Sequence, residues 1–363
     1  MLFLLFLISI GSFFGMEEFK ITVTRNSIFK ILTTIFIFLC VNDESDLNKY
    51  VFIMSLGNLM SQLILWTSLP KFVKFKFVNL NSALKHLKPN LKLFIPVVAT
   101  SVYTLMDKIM LGNMTNMNFV GLYENADKIK NILMGFITAL GTVMLPKMTK
   151  LISQGNNKLA EKYLYNSLKY MLLISFAMGV GLAAISKEFV VIFFGEEFRK
   201  SYYIMIILSI SMIFIAWANV IRTQKLIPEN LDNVYINSTI TGAVINFIFN
   251  IILIRYLNAI GAAIATLIAE CSVAVYQTIY VRNEMKNIKK MTKTIMIYFI
   301  ASIIMFVVIR IIGKNMGETL LTVLMEVIAG AVIYLTIVLS FLIKEKDELI
   351  LTILNKFKKL RHL

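Results

Sequence analysis

Reactive side chains are scarce in this chain: 363 residues hold only two cysteines and two histidines. Cys40 and Cys271 lie inside apolar runs, and neither has a partner at disulfide or metal-ligand spacing. His86 and His362 stand in basic, polar segments. No metal site, nucleophilic triad or phosphate loop can be assembled from this inventory, so the sequence gives no basis for an enzyme. Charge is sparse as well, at 16% of residues, against 58% apolar and a mean hydropathy of +0.76. A soluble domain carries roughly 25% charged residues and fewer apolar ones. The opening stretch, Met1 to Ile10, has neither the charged flank nor the small-residue cleavage site of a signal peptide.

What the chain does have is a series of long apolar runs. A spanning helix needs roughly 20 mainly apolar residues. That ruler gives about eleven segments: 1–14, 27–41, 50–68, 93–113, 128–146, 167–186, 202–221, 236–254, 260–281, 294–312 and 319–343. The expected fold is therefore an all-α polytopic membrane protein with short loops. The net charge of +16 is gathered between the runs, not spread over a nucleic-acid-binding face. Basic loops include Lys71 to Lys92, Lys147 to Lys162 and Arg282 to Lys293, followed by a tail from Lys344 to Arg361. They alternate with poor loops such as Asn42 to Asn48, which holds Asp43, Glu44 and Asp46. The positive-inside rule then places the basic loops and the C-terminus in the cytoplasm. The mixed apolar and basic stretches Lys71–Lys92 and Lys150–Lys169 read as amphipathic connectors at the membrane surface.

An odd number of helices, with a short and bare first one, is what loss of upstream helices would leave. A thin internal repeat agrees. One offset lays Asn26-Ser27 on Asn237-Ser238 and Phe36-Ile-Phe38 on Phe247-Ile-Phe249, and matches the helix boundaries around them. Duplicated halves with a substrate site between them are common in transporters. The expected division is a remnant lobe with its connector at 1–88, a six-helix lobe at 89–285, and an added hairpin with a basic tail at 286–363.

Ionisable residues inside spans are costly, and they mark functional sites by default. Asp107 and Lys108 lie well inside 93–113 and, being adjacent, cannot share a helix face. One reading gives them to a cavity; the other makes them an interhelical ion pair, with Lys108 reaching for the interface. Glu124, Lys128 and Lys130, with Asp127, open the next helix as interfacial anchors or cavity residues. Asn246 and Asn250, one turn apart with Gly242 a turn before, form a polar stripe suited to helix packing or to hydrogen bonding a sugar. Glu270 lies mid-helix, after the small-residue pair Gly261 and Ala265 that permits close helix contact. Glu326, in the last hairpin, reads as structural or as a lipid-interface residue. Aromatics near span ends, such as Trp66, Phe193 and Phe194, fit an interfacial belt.

Several stretches, in order, resemble the polysaccharide flippases of the multidrug/oligosaccharidyl-lipid/polysaccharide superfamily. They are Phe14-Gly-Met-Glu-Glu-Phe19, Tyr103-Thr-Leu-Met-Asp-Lys-Ile-Met-Leu-Gly112, Val120-Gly-Leu-Tyr-Glu-Asn-Ala126, Ala139-Leu-Gly-Thr-Val-Met-Leu-Pro146 and Phe193-Phe-Gly-Glu-Glu-Phe198. The strongest runs from Gly242-Ala-Val-Ile-Asn246 through Asn250 to Gly261-Ala-Ala-Ile-Ala-Thr266 and Glu270. Arg222 departs from the pattern, standing where a small residue is usual. The resemblance implies a two-lobe architecture like that of the multidrug extrusion antiporters, with the first lobe incomplete here. It implies a transporter of a bacterial cytoplasmic membrane that flips undecaprenyl-diphosphate-linked oligosaccharide by alternating access, for surface polysaccharide such as O-antigen or capsule. Its partners would be the lipid-linked oligosaccharide, the bilayer and polysaccharide polymerase machinery, with no nucleic acid. In that reading Lys108 meets the diphosphate, and Asp107 couples a proton or a sodium ion; no other cofactor is implied. The alternatives are a cation-coupled drug antiporter of the same fold and an inactive fragment.

Overall fold

A computed structural model describes residues 19–68, 70, 84–85, 87–282 and 288–347. Every regular element among them is helical. Nine α-helices are described: α1 (Phe19–Cys40), α2 (Leu47–Ser68), α3 (Leu87–Met114), α4 (Met117–Ser153), α5 (Asn157–Phe194), α6 (Ser201–Ile221), α7 (Asp232–Val281), α8 (Ile288–Met316) and α9 (Leu320–Lys344). Segment 1–14, most of the Lys71–Lys92 connector and the tail beyond Asp347 lie outside the described residues. Each of the other apolar segments falls on a helix, and the helices run past the apolar windows at their ends. Lys187 to Phe194, expected in a loop, continues α5, which stops at Gly195 (φ 93°). The Lys150–Lys169 stretch is likewise the end of α4 and the start of α5, joined by a turn at Gly155 (φ 72°). Lys, Glu and Arg are good helix formers, so they prolong a helix beyond the part that lipid covers.

Seven helices among the described residues are long and apolar enough to cross a membrane: α1 and α4 to α9, with the π turn after α6 counted with it. α2 and α3 are not among the seven. α2 carries Asn48, Lys49, Asn58, Ser61 and Gln62, and α3 carries Asn90, Asp107 and Lys108. The outward faces are apolar, with Phe136, Val143, Phe299, Ile311 and Leu321 all more than half exposed. Apolar faces of this kind on several long helices suit lipid and not water. The protein is a multi-pass membrane protein.

The chain divides into two compact units, Met1–Leu87 and Lys88–Leu363. In the first, α1 packs on α2. Between them, buried Arg25 of α1 donates from Nη1 to Ser61 O of α2 at 2.9 Å and from Nη2 to its neighbour Asn26 Oδ1 at 2.7 Å, and Ser61 Oγ donates to the same Oδ1 at 3.4 Å. In the second, α5, α6 and α7 pack in sequence, α4 lies against α6, and the α8–α9 hairpin rests on α5. Several buried serine and threonine hydroxyls bond within their own helices. Ser209 donates to Met205 O at 2.5 Å and Thr239 to Tyr235 O at 2.9 Å, which removes the cost of a polar group in lipid. Asn116 caps α4 by accepting from Phe119 N at 3.2 Å, and Thr319 caps α9 by accepting from Thr322 N, also at 3.2 Å. Arg222, the departure from the family pattern, opens a π-helical turn, Arg222–Leu226, with its guanidinium 5.6 Å from the Tyr235 ring centroid.

α7 is two helices joined at a tight reversal. Asn258 leaves the helical region there, at φ 50° and ψ −130°. The expected break between 254 and 260 falls at this point. Gly261 makes the reversal fit, because a Cβ at that position would stand 2.3 Å from Leu253 O. The two arms then run side by side. Gly242 faces Val273, and Gln277 donates to Ser238 Oγ at 3.0 Å. The same register puts Asn250 opposite Thr266.

Candidate functional site

The two arms of α7, with α3 and α4, converge on one carboxylate. Asp107 is 2% exposed. Its Oδ1 accepts from Asn250 Nδ2 at 2.5 Å, and its Oδ2 accepts from Thr266 Oγ1 at 2.7 Å and from the Tyr123 hydroxyl at 2.9 Å. Tyr123 and Thr266 are 3.1 Å apart, and Asn250 also donates to Asn246 Oδ1 at 3.1 Å. All five side chains are buried. The carboxylate has no basic partner in this set; neutral donors surround it. Such donors stabilise an anion and also tolerate its neutralisation, because a hydroxyl or amide can turn from donor to acceptor. Asn246 Nδ2 and Asn250 Oδ1 have no hydrogen-bond partner in the node. Oxygen ligands from a carboxylate, a hydroxyl and an amide are what a hard monovalent cation takes.

The next residue does the opposite. Lys108 points away from Asp107, with its side chain 27% exposed. It forms an ion pair with Glu124, and Asp127 Oδ2 lies 3.5 Å away. Lys130 pairs with Asp127 at 2.7 Å, and Lys128 approaches Glu124 at 3.8 Å. Three cations and two carboxylates thus form one network along the start of α4, with one positive charge left over.

Sequence reasoning therefore named residues of two separate constellations. Asp107, Asn246 and Asn250 come together. Lys108, Glu124, Lys128 and Lys130 come together on another side of α3. Glu270 is buried on the second arm of α7, at 8% exposure. Tyr123 and Thr266 were not singled out, although both lie within the family-like stretches. A hydroxyl in an apolar helix carries no charge signal, and only the fold of α7 shows that Thr266 reaches Asp107.

Residues 1–152 match the model of a family described as polysaccharide biosynthesis protein. A Shigella dysenteriae protein, whose name proposes it as an O-antigen transporter, is 24% identical over 73% of this chain and 66% of its own length. A Haloferax volcanii protein, whose name proposes Agl15 as a flippase of low-salt glycan biosynthesis, is 27% identical over 66% of this chain and 50% of its own. The chain thus spans two thirds or less of the length of these relatives. Among solved structures, an inward closed conformation of the lipid II flippase MurJ superposes on 90% of the chain with a TM-score of 0.68, at 18% identity. That likeness establishes the fold. The relatives are named as transporters or flippases and not as enzymes. In sequence and in fold, the chain resembles the polysaccharide flippases of the multidrug/oligosaccharidyl-lipid/polysaccharide superfamily.

Proposed function

We propose that the protein moves a lipid-linked oligosaccharide, carried on undecaprenyl diphosphate, across a bacterial cytoplasmic membrane for surface polysaccharide synthesis. The Asp107 node carries this reading. A buried carboxylate without a basic partner, held by neutral donors from three helices, is the kind of intramembrane acid that marks a proton or ion pathway by default. A proton or a sodium ion is the species it serves, and alternating access is the movement it couples to. Sodium would sit among Asp107, Thr266 and the free Asn250 Oδ1. Residues 89–285 act as the six-helix lobe that holds the node, 1–88 as a remnant of the N-terminal lobe, and 286–363 as an added hairpin with a cytoplasmic tail. Polysaccharide polymerase machinery would take the delivered substrate.

For Lys108, the ion pairs with Glu124 and Asp127 support an anchoring role over the phosphate contact expected from sequence. To meet a diphosphate, Lys108 would have to leave two carboxylates. The test is reconstitution into liposomes with a labelled undecaprenyl-diphosphate oligosaccharide. Translocation should depend on a proton or sodium gradient in the native protein and be lost in Asp107→Asn. Gradient-dependent translocation that survives Asp107→Asn would refute the role of the node.

A further inference from the structure

Another buried acid lies far along the chain from the Asp107 node. Glu326, on α9, is fully buried, and neither of its carboxylate oxygens has a hydrogen-bond partner. An ionised carboxylate in that position would have given up its hydration and gained nothing, so it takes up a proton instead. Its surroundings show where the proton goes. At Gly313 of α8, a Cβ would stand 2.5 Å from Glu326 Oε1 and 2.6 Å from Glu188 Oε1. The glycine leaves room for two carboxylates, one from α9 and one from α5, to converge on a single point. Glu188 is 2% exposed, and its other oxygen accepts from Arg310 Nη1 at 2.7 Å. The same nitrogen also donates to Ala184 O at 3.0 Å. The guanidinium therefore serves Glu188 and a backbone carbonyl, and gives Glu326 no hydrogen bond.

Two like charges this close in a low-dielectric site cannot both persist. The ion pair marks Glu188 as the ionised member. We propose that Glu326 holds a proton which it donates to Glu188 Oε1, so that the pair forms a proton-binding site between α5, α8 and α9. Glu188 and Arg310 also line a cleft of about 620 Å³, together with Lys187, Lys314 and Glu318. These are the charged groups that face the pair from α5, α8 and the α8–α9 loop, and Glu318 is itself held by Arg199. Exchange is a proton transfer alone: the Glu326 O–H bond breaks, and the proton passes by way of Glu188 to water in the cleft. Without the proton, two anions share one cation, and the contact of α9 with α5 across Gly313 loosens. The inference rests on this geometry and not on the flippase reading.

The experiment is infrared spectroscopy of the intact purified chain in lipid bilayers at neutral pH, following the carbonyl band of protonated carboxyl groups. The native protein should show a band that is lost in Glu326→Gln and kept in Asp107→Asn. Glu188→Gln should also lose it, because Arg310 then takes Glu326 as its ionised partner; this second variant keeps the test open should Glu326→Gln fail to fold. Replacing potassium by sodium should leave the band unchanged. A band that survives both substitutions overturns the proposal, and so does a band that sodium abolishes, since the pair would then be a sodium site.

Discussion

Asp107 and Lys108 are neighbours in sequence and opposites in surroundings. Asp107 is sealed among Tyr123, Asn246, Asn250 and Thr266, none of them charged. Lys108 is partly open and is met by Glu124 and Asp127. The first arrangement leaves the charge of its centre free to change, whereas the second fixes it. The difference teaches that depth in the membrane does not by itself mark a working charge. On the reading proposed for Asp107 and Lys108, what separates the two is whether the partners supply an opposite charge or only hydrogen bonds.

The comparison breaks most sharply at Asp107. Asp107→Ala takes the acceptor from Tyr123, Asn250 and Thr266. Tyr123 keeps Thr266, Thr266 keeps Ala262 O and Asn250 keeps Asn246, so the loss is the cavity and one buried amide N–H of Asn250, which costs about 1–3 kcal/mol. The variant should be depleted from the membrane, as measured by immunoblot and thermal unfolding, while Asp107→Asn should fold. The next effect comes from Gly261→Ala, which drives a methyl group against Leu253 O. A clash of that kind costs roughly 1–3 kcal/mol. Because the reversal of α7 sets Asn250 opposite Thr266, this variant should disrupt the node and leave the Lys108 network intact. Labelling of cysteines placed beside each would separate the two effects.

Lys108→Ala should cost less, about 1 kcal/mol or below, because the pair is partly exposed and Lys128 and Lys130 remain beside the two carboxylates. Abundance should fall slightly, and Lys108→Arg should restore it. Loss of translocation at normal abundance would instead return Lys108 to the diphosphate. The smallest effect belongs to a pair outside the spans. Arg199 grips Glu318 at 2.6 and 2.7 Å and Glu196 at 2.5 and 2.7 Å. These hydrogen bonds hold both carboxyls below the usual glutamate range and raise the guanidinium. A lowered folded-state pKa contributes stability above the unfolded value and loses it as pH falls through the folded one. Protection of the α8–α9 loop amides, corrected for intrinsic exchange, should therefore fall below about pH 4 and stay flat above it. Arg199→Gln should abolish that dependence.

Much of this was legible in the sequence, for physical reasons. Apolar runs must be helices in lipid, so each described segment was found, and the break at Asn258 was visible as a gap in hydropathy. The helix ends were not legible, since Lys187 to Phe194 leaves the apolar window without leaving the helix. Asp107, Asn246 and Asn250 stood out because polar residues are rare in spans. Tyr123 and Thr266 did not, because hydroxyls commonly bond to their own helix. The partners of Lys108 and of Glu326 depend on which helices pack together, and one sequence does not carry that information. Gly313 reads as one small residue among many until Glu188 and Glu326 are seen on either side of it.

The central claim is flipping coupled at the Asp107 node, and it can be tested directly in the organism that encodes the chain. Deleting the gene should remove surface polysaccharide and leave lipid-linked oligosaccharide on the inner leaflet. Adding back the native gene should restore export, and Asp107→Asn, present at equal abundance, should not. Unchanged surface polysaccharide on deletion, or full restoration by Asp107→Asn, would contradict the account.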